Sequence, residues 1–143
     1  MTEPRCLFVY GTLRSAANTD LAKSLARSST LVGSARIRGL LFELGGYPGM
    51  VVTAQDDAWV VGEVYSLTDP STAWPVLDAY ERCSAADPPP HEYERQIVTV
   101  LLDGGQTIPA WAYVYCLNTA DKARILSGDF LEAKESQATP FDP

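Results

Sequence analysis

The chain has 143 residues, with eleven Lys or Arg against eighteen Asp or Glu and a net charge of -7. An acidic surface repels phosphate backbones and anionic headgroups, so no nucleic acid and no membrane is expected as a partner. The length suits one domain over residues 1–143, and a 46% hydrophobic content suits a buried core rather than disorder.

Leu7-Phe8-Val9-Tyr10 is a run of β-formers ended by Gly11, which predicts a strand and then a turn. From Asn18 to about Arg27, Leu21, Ala22, Leu25 and Ala26 recur at helical spacing, with Asn18 or Thr19 as the cap. Leu31 to Leu44 predicts one long strand bent at Gly33 and Gly39. The cluster Gly45-Gly46-Tyr47-Pro48-Gly49 turns the chain into a strand at Met50-Val51-Val52. Gln55-Asp56-Asp57 suits a hairpin tip before a strand from Trp59 to Leu67.

A helix begins within Asp69-Pro70-Ser71-Thr72. Taking Thr72 as its cap places Pro75 in the first turn, where a missing N–H costs little. Trp74, Leu77 and Tyr80 or Glu81 then share an inward face, with Glu81 at the helix end. Pro88-Pro89-Pro90 stiffens a connector from Ser84 to His91. Tyr93 to Leu102 predicts a long central strand, Asp103-Gly104-Gly105 a hairpin turn, and Ile108 to Leu117 the returning strand. Asn118 or Thr119 caps a last short helix through about Ile125, and Ser127-Gly128-Asp129-Phe130 turns the chain into a tail expected to fray. Strands joined by hairpins, with few helices, predict an α+β fold around a small, mostly antiparallel β-barrel with short flanking helices.

The cysteines, at 6, 83 and 116, are odd in number and lack metal or redox spacing. They read as free thiols in a reducing cytoplasm, with Cys6 and Cys116 as small core residues. No eighteen-residue apolar run is present, and Met1 to Arg5 lack the charged-then-apolar order of a secretory signal. A cytoplasmic location is the expectation.

The one histidine, His91, limits any Ser–His–Asp triad and rules out a multi-histidine metal site. Cys83 with His91 forms a thiol rival that lacks a third, orienting group. Gly11 lets the main chain turn sharply, so that successive N–H groups of Tyr10-Gly11-Thr12-Leu13 can face an anion or a polarised carbonyl. Taken alone, the segment reads more simply as a strand-ending turn. Glu81, following an apolar face, suits a general base if partly buried, although a lone helix-end glutamate is more often solvated.

Together these segments resemble a known family. Val9-Tyr10-Gly11-Thr12-Leu13-Arg14 resembles the opening motif of the gamma-glutamylcyclotransferase-like family, which includes the plant avirulence-induced-gene-like proteins and bacterial relatives. Gly46-Tyr47-Pro48-Gly49 resembles its Tyr-Pro turn and Val61-Gly62-Glu63-Val64-Tyr65 its Gly-Glu-Val-Tyr strand. Leu77-Asp78-Ala79-Tyr80-Glu81 resembles the segment that carries the catalytic glutamate. Tyr93-Glu94-Arg95 with Ala110-Trp111-Ala112-Tyr113-Val114-Tyr115 resembles the paired strands that follow, and Ile125 to Phe130 the closing turn of bacterial members. Arg82 departs from the pattern, since glycine often follows the glutamate there, and the connector from Cys83 to Pro90 is long.

The resemblance implies a small β-barrel with no metal and no organic cofactor. It implies release of 5-oxoproline and a free amine from a small-molecule gamma-glutamyl substrate. The substrate's own α-amine attacks its γ-carbonyl, so the enzyme needs no nucleophile, only positioning and a proton shuttle. Glu81 is the expected catalytic residue. Tyr10, Gly11, Thr12, Leu13 and Tyr115 are the expected substrate-binding residues, with Arg14 either on a substrate carboxylate or in solvent. A non-catalytic binding module of the same fold and a related amine acyltransferase are the alternatives. Glu81→Gln is expected to leave thermal stability little changed, because no core volume is lost.

Overall fold

The structure is a computed structural model that describes residues 3–11, 13–14, 19–54 and 57–133. Asn18, Thr12, Gln55, Asp56 and the tail after residue 133 lie outside it. The elements are β1 (Cys6–Val9), α1 (Asp20–Arg27), β2 (Ser29–Glu43), β3 (Pro48–Val52), β4 (Trp59–Leu67), α2 (Pro70–Tyr80), β5 (Tyr93–Leu102), β6 (Thr107–Tyr115) and β7 (Ala123–Arg124).

Five strands close a barrel in the order β2-β4-β1-β6-β5, with Ala35 and Arg36 of β2 pairing Leu102 and Leu101 of β5 to seal it. The pair β1–β6 is parallel and its neighbours are antiparallel, so the barrel is mixed. Alternation along the strands sorts side chains to two sides. Phe8, Tyr10, Ile37, Val60, Val64, Val100, Ala110 and Ala112 fill one core cluster. Leu7, Val9, Tyr65, Leu67, Tyr93, Tyr113 and Tyr115 form a second, to which α1 adds Leu25 and α2 adds Leu77. Strand β1 is therefore apolar at consecutive positions because both of its faces are covered.

The predicted long strand is continuous from Ser29 to Glu43. It carries a bulge between Leu31 and Gly33, and beyond Arg38 it changes partner from β4 to β3. Because β3 and β4 each pair with β2, at Gly39–Glu43 and at Ser29–Arg38, they do not form a hairpin with each other. Helix α1 is capped by Thr19, whose hydroxyl accepts from the Ala22 N–H at 3.1 Å.

Helix α2 starts earlier than expected. Asp69 occupies its N-cap and Pro70 its first turn, so Pro75 is interior and costs one helical hydrogen bond. The Asp69 carboxylate accepts from the Ser71 and Thr72 hydroxyls, which makes Thr72 a bonding partner of the cap. The expected helix up to Ile125 is absent. Asn118 Oδ1 accepts from the Ala120 N–H at 2.8 Å in a turn, and Ala123–Arg124 pairs with Glu43 and Phe42. The open edge of β2 supplies partners that outweigh local helix propensity. Cys116 is exposed rather than buried, and Cys6 is half-buried.

Gly62 marks a tight approach in the wall. A Cβ there would fall 2.2 Å from the Val9 carbonyl oxygen and 2.7 Å from Phe8 Cζ. Gly62→Ala should therefore lower stability by about 1–3 kcal/mol, as overpacking does. Denaturant melts of the two proteins check this, and coincident curves would contradict it.

Candidate active site

Strand β1 delivers the first wall of the site. The Tyr10 hydroxyl, buried, donates to the Tyr113 carbonyl and accepts from the Met50 N–H at 3.3 Å, joining β1 to β6 and β3. After it, the Arg14 N–H donates to the Gly11 carbonyl at 3.1 Å and closes a turn. A Cβ on Gly11 would lie 2.7 Å from Pro48 Cγ, so only glycine lets the turn lie against β3. Arg14 itself pairs with Asp129 at 2.8 Å, away from the solvent-facing role considered above.

The second wall comes from the end of α2. Its last turn is closed by two backbone bonds, Cys83 N–H to the Asp78 carbonyl at 2.9 Å and Arg82 N–H to the Ala79 carbonyl at 3.1 Å. That pair is a Schellman closure, which needs a left-handed residue just past the cap. Arg82 takes it, at φ 58°, where an L side chain costs about 1 kcal/mol more than glycine. The cap residue is Glu81.

One turn earlier, Asp78 accepts from Arg95 Nε at 2.9 Å, from Arg95 Nη2 at 3.3 Å and from the Tyr113 hydroxyl at 2.7 Å. The Arg95 guanidinium lies 4.2 Å from the Trp74 ring centre and 4.5 Å from that of Trp111. This ion pair, with its stacked cation, docks the end of α2 on β5 and β6 and holds the direction of Glu81.

The two walls meet at a cavity of about 440 Å³, a size that suits a small molecule. Tyr10, Gly11, Leu13 and Glu81 all line it. Thr12 lies outside the described residues. Tyr115 is not among the lining residues: its ring packs edge-on against Tyr93 at 5.9 Å. The parity that sends Tyr115 away from the barrel core also applies to Tyr113, which does line the cavity. Tyr47, Glu92 and Tyr93 complete the wall without having been singled out from the sequence, as do Tyr80 and Arg82 beside Glu81. Glu92 accepts from the Tyr47 hydroxyl at 2.9 and 3.1 Å.

Burial, and then the negative charge of Glu92, push the Glu81 carboxyl up to about 7. It can thus hold or release a proton near neutrality. The Tyr10, Tyr93 and Tyr113 hydroxyls are all raised, chiefly by burial, and stay protonated.

The family described as gamma-glutamyl cyclotransferase, AIG2-like, matches residues 7–132, nearly the whole chain. The chain belongs to that family. Among solved structures, this family member is similar to ytfP from Escherichia coli, at 31% identity and a TM-score of 0.63, over 90% of this chain and 98% of that one. It is similar to YkqA from Bacillus subtilis at 27% identity and a TM-score of 0.70, covering 96% of this chain but 44% of the other, so it spans under half of that protein's length. An AIG2-like protein from Mus musculus shares the fold at 19% identity and a TM-score of 0.64, over 84% of this chain and 82% of that one. No curated protein matches the chain.

The thiol rival fares poorly in this gamma-glutamyl cyclotransferase-like protein. Burial, then the Asp78 and Glu81 charges, lift the Cys83 thiol to about 11, which leaves little thiolate at neutral pH. The His91 ring nitrogen Nε2 is bonded to the Asp87 carbonyl at 3.1 Å. Among the described residues, no helix is long and apolar enough to cross a membrane.

Proposed function

We propose that this protein converts a gamma-glutamyl amine or gamma-glutamyl amino acid into 5-oxoproline and the free amine, with Glu81 as the proton carrier. The observation that supports it is the presence of Glu81, with its carboxyl raised to about 7, on the same cavity as the Gly11 turn.

In this reading the main-chain N–H groups of the Gly11–Leu13 turn hold the substrate carboxylate or the oxygen that gains charge at the γ-carbon. The neutral α-amine attacks the γ-carbonyl carbon and an N–C bond forms. The Glu81 carboxylate takes a proton from the attacking nitrogen. It then gives that proton to the departing nitrogen as the old C–N bond breaks. The proton count balances, no water is consumed, and the carboxylate is restored. Holding the amine against the carbonyl supplies most of the advantage, since effective molarities for such closures reach about 10⁵ M or more.

A panel of gamma-glutamyl amines and gamma-glutamyl dipeptides, assayed for 5-oxoproline, tests the proposal. Release from at least one class is expected. Tight binding of the panel without 5-oxoproline would instead make the protein a binding module.

A further inference from the structure

The left-handed residue at the end of α2 is a position where glycine relieves backbone strain, and this chain puts arginine there. Arg82 is the only non-glycine residue with positive φ among those described. Its own packing does not explain the choice, because the side chain is exposed. The ion pairs among the described residues are Arg14–Asp129 and Arg95–Asp78, so no described carboxylate claims the Arg82 guanidinium within 4.0 Å. Strain kept without a packing return concentrates at functional sites.

What Arg82 does have is a place on the cavity. Of the described lining residues, it alone carries a cationic side chain. Its charge reaches Tyr47 across the mouth: burial and Glu92 raise that hydroxyl, and Arg82 opposes them. The acids nearby are otherwise occupied. Glu92 is bonded to Tyr47, Asp87, whose carboxyl Arg82 helps to lower, accepts from the Ser84 N–H and hydroxyl, and Glu81 is assigned the proton. On the proposed reaction, the glutamyl carboxylate faces the Gly11 turn and the amine faces Glu81. The remaining part of the substrate is the leaving group.

We propose that Arg82 is a specificity-determining residue that binds a carboxylate on the leaving amine, so that gamma-glutamyl amino acids are preferred over gamma-glutamyl derivatives of plain amines. The planar guanidinium presents two parallel N–H groups to a carboxylate, which a cationic or uncharged amine cannot use. This inference rests on the cyclisation reading for its kinetic form.

The test compares gamma-glutamyl-alanine with gamma-glutamyl-ethylamide, which differ only by that carboxylate, in the native protein and in Arg82→Gly. The ratio of kcat/KM for the first over the second should fall by about 10- to 100-fold in the variant, the worth of a charge-assisted pair. An unchanged ratio overturns the proposal. Misfolding is controlled by the melt, since glycine at this position should raise Tm by about 3 °C. If the native protein cyclises neither compound, calorimetric Kd values for both still decide. A preference for the alanine compound that vanishes in Arg82→Gly supports the carboxylate site although the cyclisation reading fails, and equal Kd values in the native protein overturn it.

Discussion

Glu81→Gln should lower kcat for 5-oxoproline release by about 10²- to 10⁴-fold while circular dichroism stays native, the usual worth of a general acid–base group. The amide keeps the shape of the carboxyl but neither accepts nor returns a proton at neutral pH. In the native protein, kcat/KM should rise with pH through about 7, where the Glu81 carboxyl ionises and becomes able to accept the amine proton. The groups facing that carboxyl are Glu92, the Cys83 thiol and the hydroxyls of Tyr10 and Tyr93; the thiol and the hydroxyls stay protonated across this range, and Glu92 is one cause of the raised value. Near-native turnover in the variant would remove Glu81 from the chemistry.

The same carboxyl makes stability depend on pH, and here the structure revises the expectation of little change. Glu81 ionises near 4.5 in the unfolded chain and near 7 in the folded one. Below about pH 4.5 both states hold the proton and the group is silent. Between 4.5 and 7 the native state binds more protons than the unfolded state, so stability falls as pH rises. Above 7 the loss is constant, at an upper value of about 3 kcal/mol. Glutamine carries no such penalty. Urea melts should therefore show Glu81→Gln more stable than the native protein at pH 8, and the two nearly equal at pH 4. Parallel curves across the range would show that Glu81 is not buried as a charge.

Both results depend on one acid being held where solvent does not reach it freely, and only part of that arrangement was legible in the sequence. The Gly11 turn and Glu81 could be found because each sits at the end of an element with a plain signal, a β-former run and an apolar helical face. The β5–β6 hairpin was also readable. A turn around Gly104 sets Tyr93 opposite Tyr115 and Arg95 opposite Tyr113. What could not be read was which of these aromatic residues meets α2. That depends on the Asp78–Arg95 pair and on the stacking of Arg95 between Trp74 and Trp111, contacts between elements distant in sequence. Tyr115 and Tyr113 share a parity, and only the docked helix separates a cavity wall from a packing residue.

The misread elements share a cause. The last strand follows a cap signal at Asn118 or Thr119 that predicts a helix, while its partner, the far end of β2, lies some eighty residues away. Similarly, the segment around Asp57 looks like a hairpin tip locally. Its flanking strands each prefer the long β2 between them.

The parallel pairing of β1 with β6 has a bearing on how the protein is made. Leu7 leaves the ribosome about a hundred residues before its neighbour Trp111. At common translation speeds of about 5–20 residues per second, β1 waits several seconds with one flank unmatched. The sealing contact between Ala35 and Leu102 is similarly deferred. Cotranslational folding can therefore pair β2 with β3 and β4 early, whereas the cavity, which needs β1, α2, β5 and β6 together, is completed only after β6 has been made.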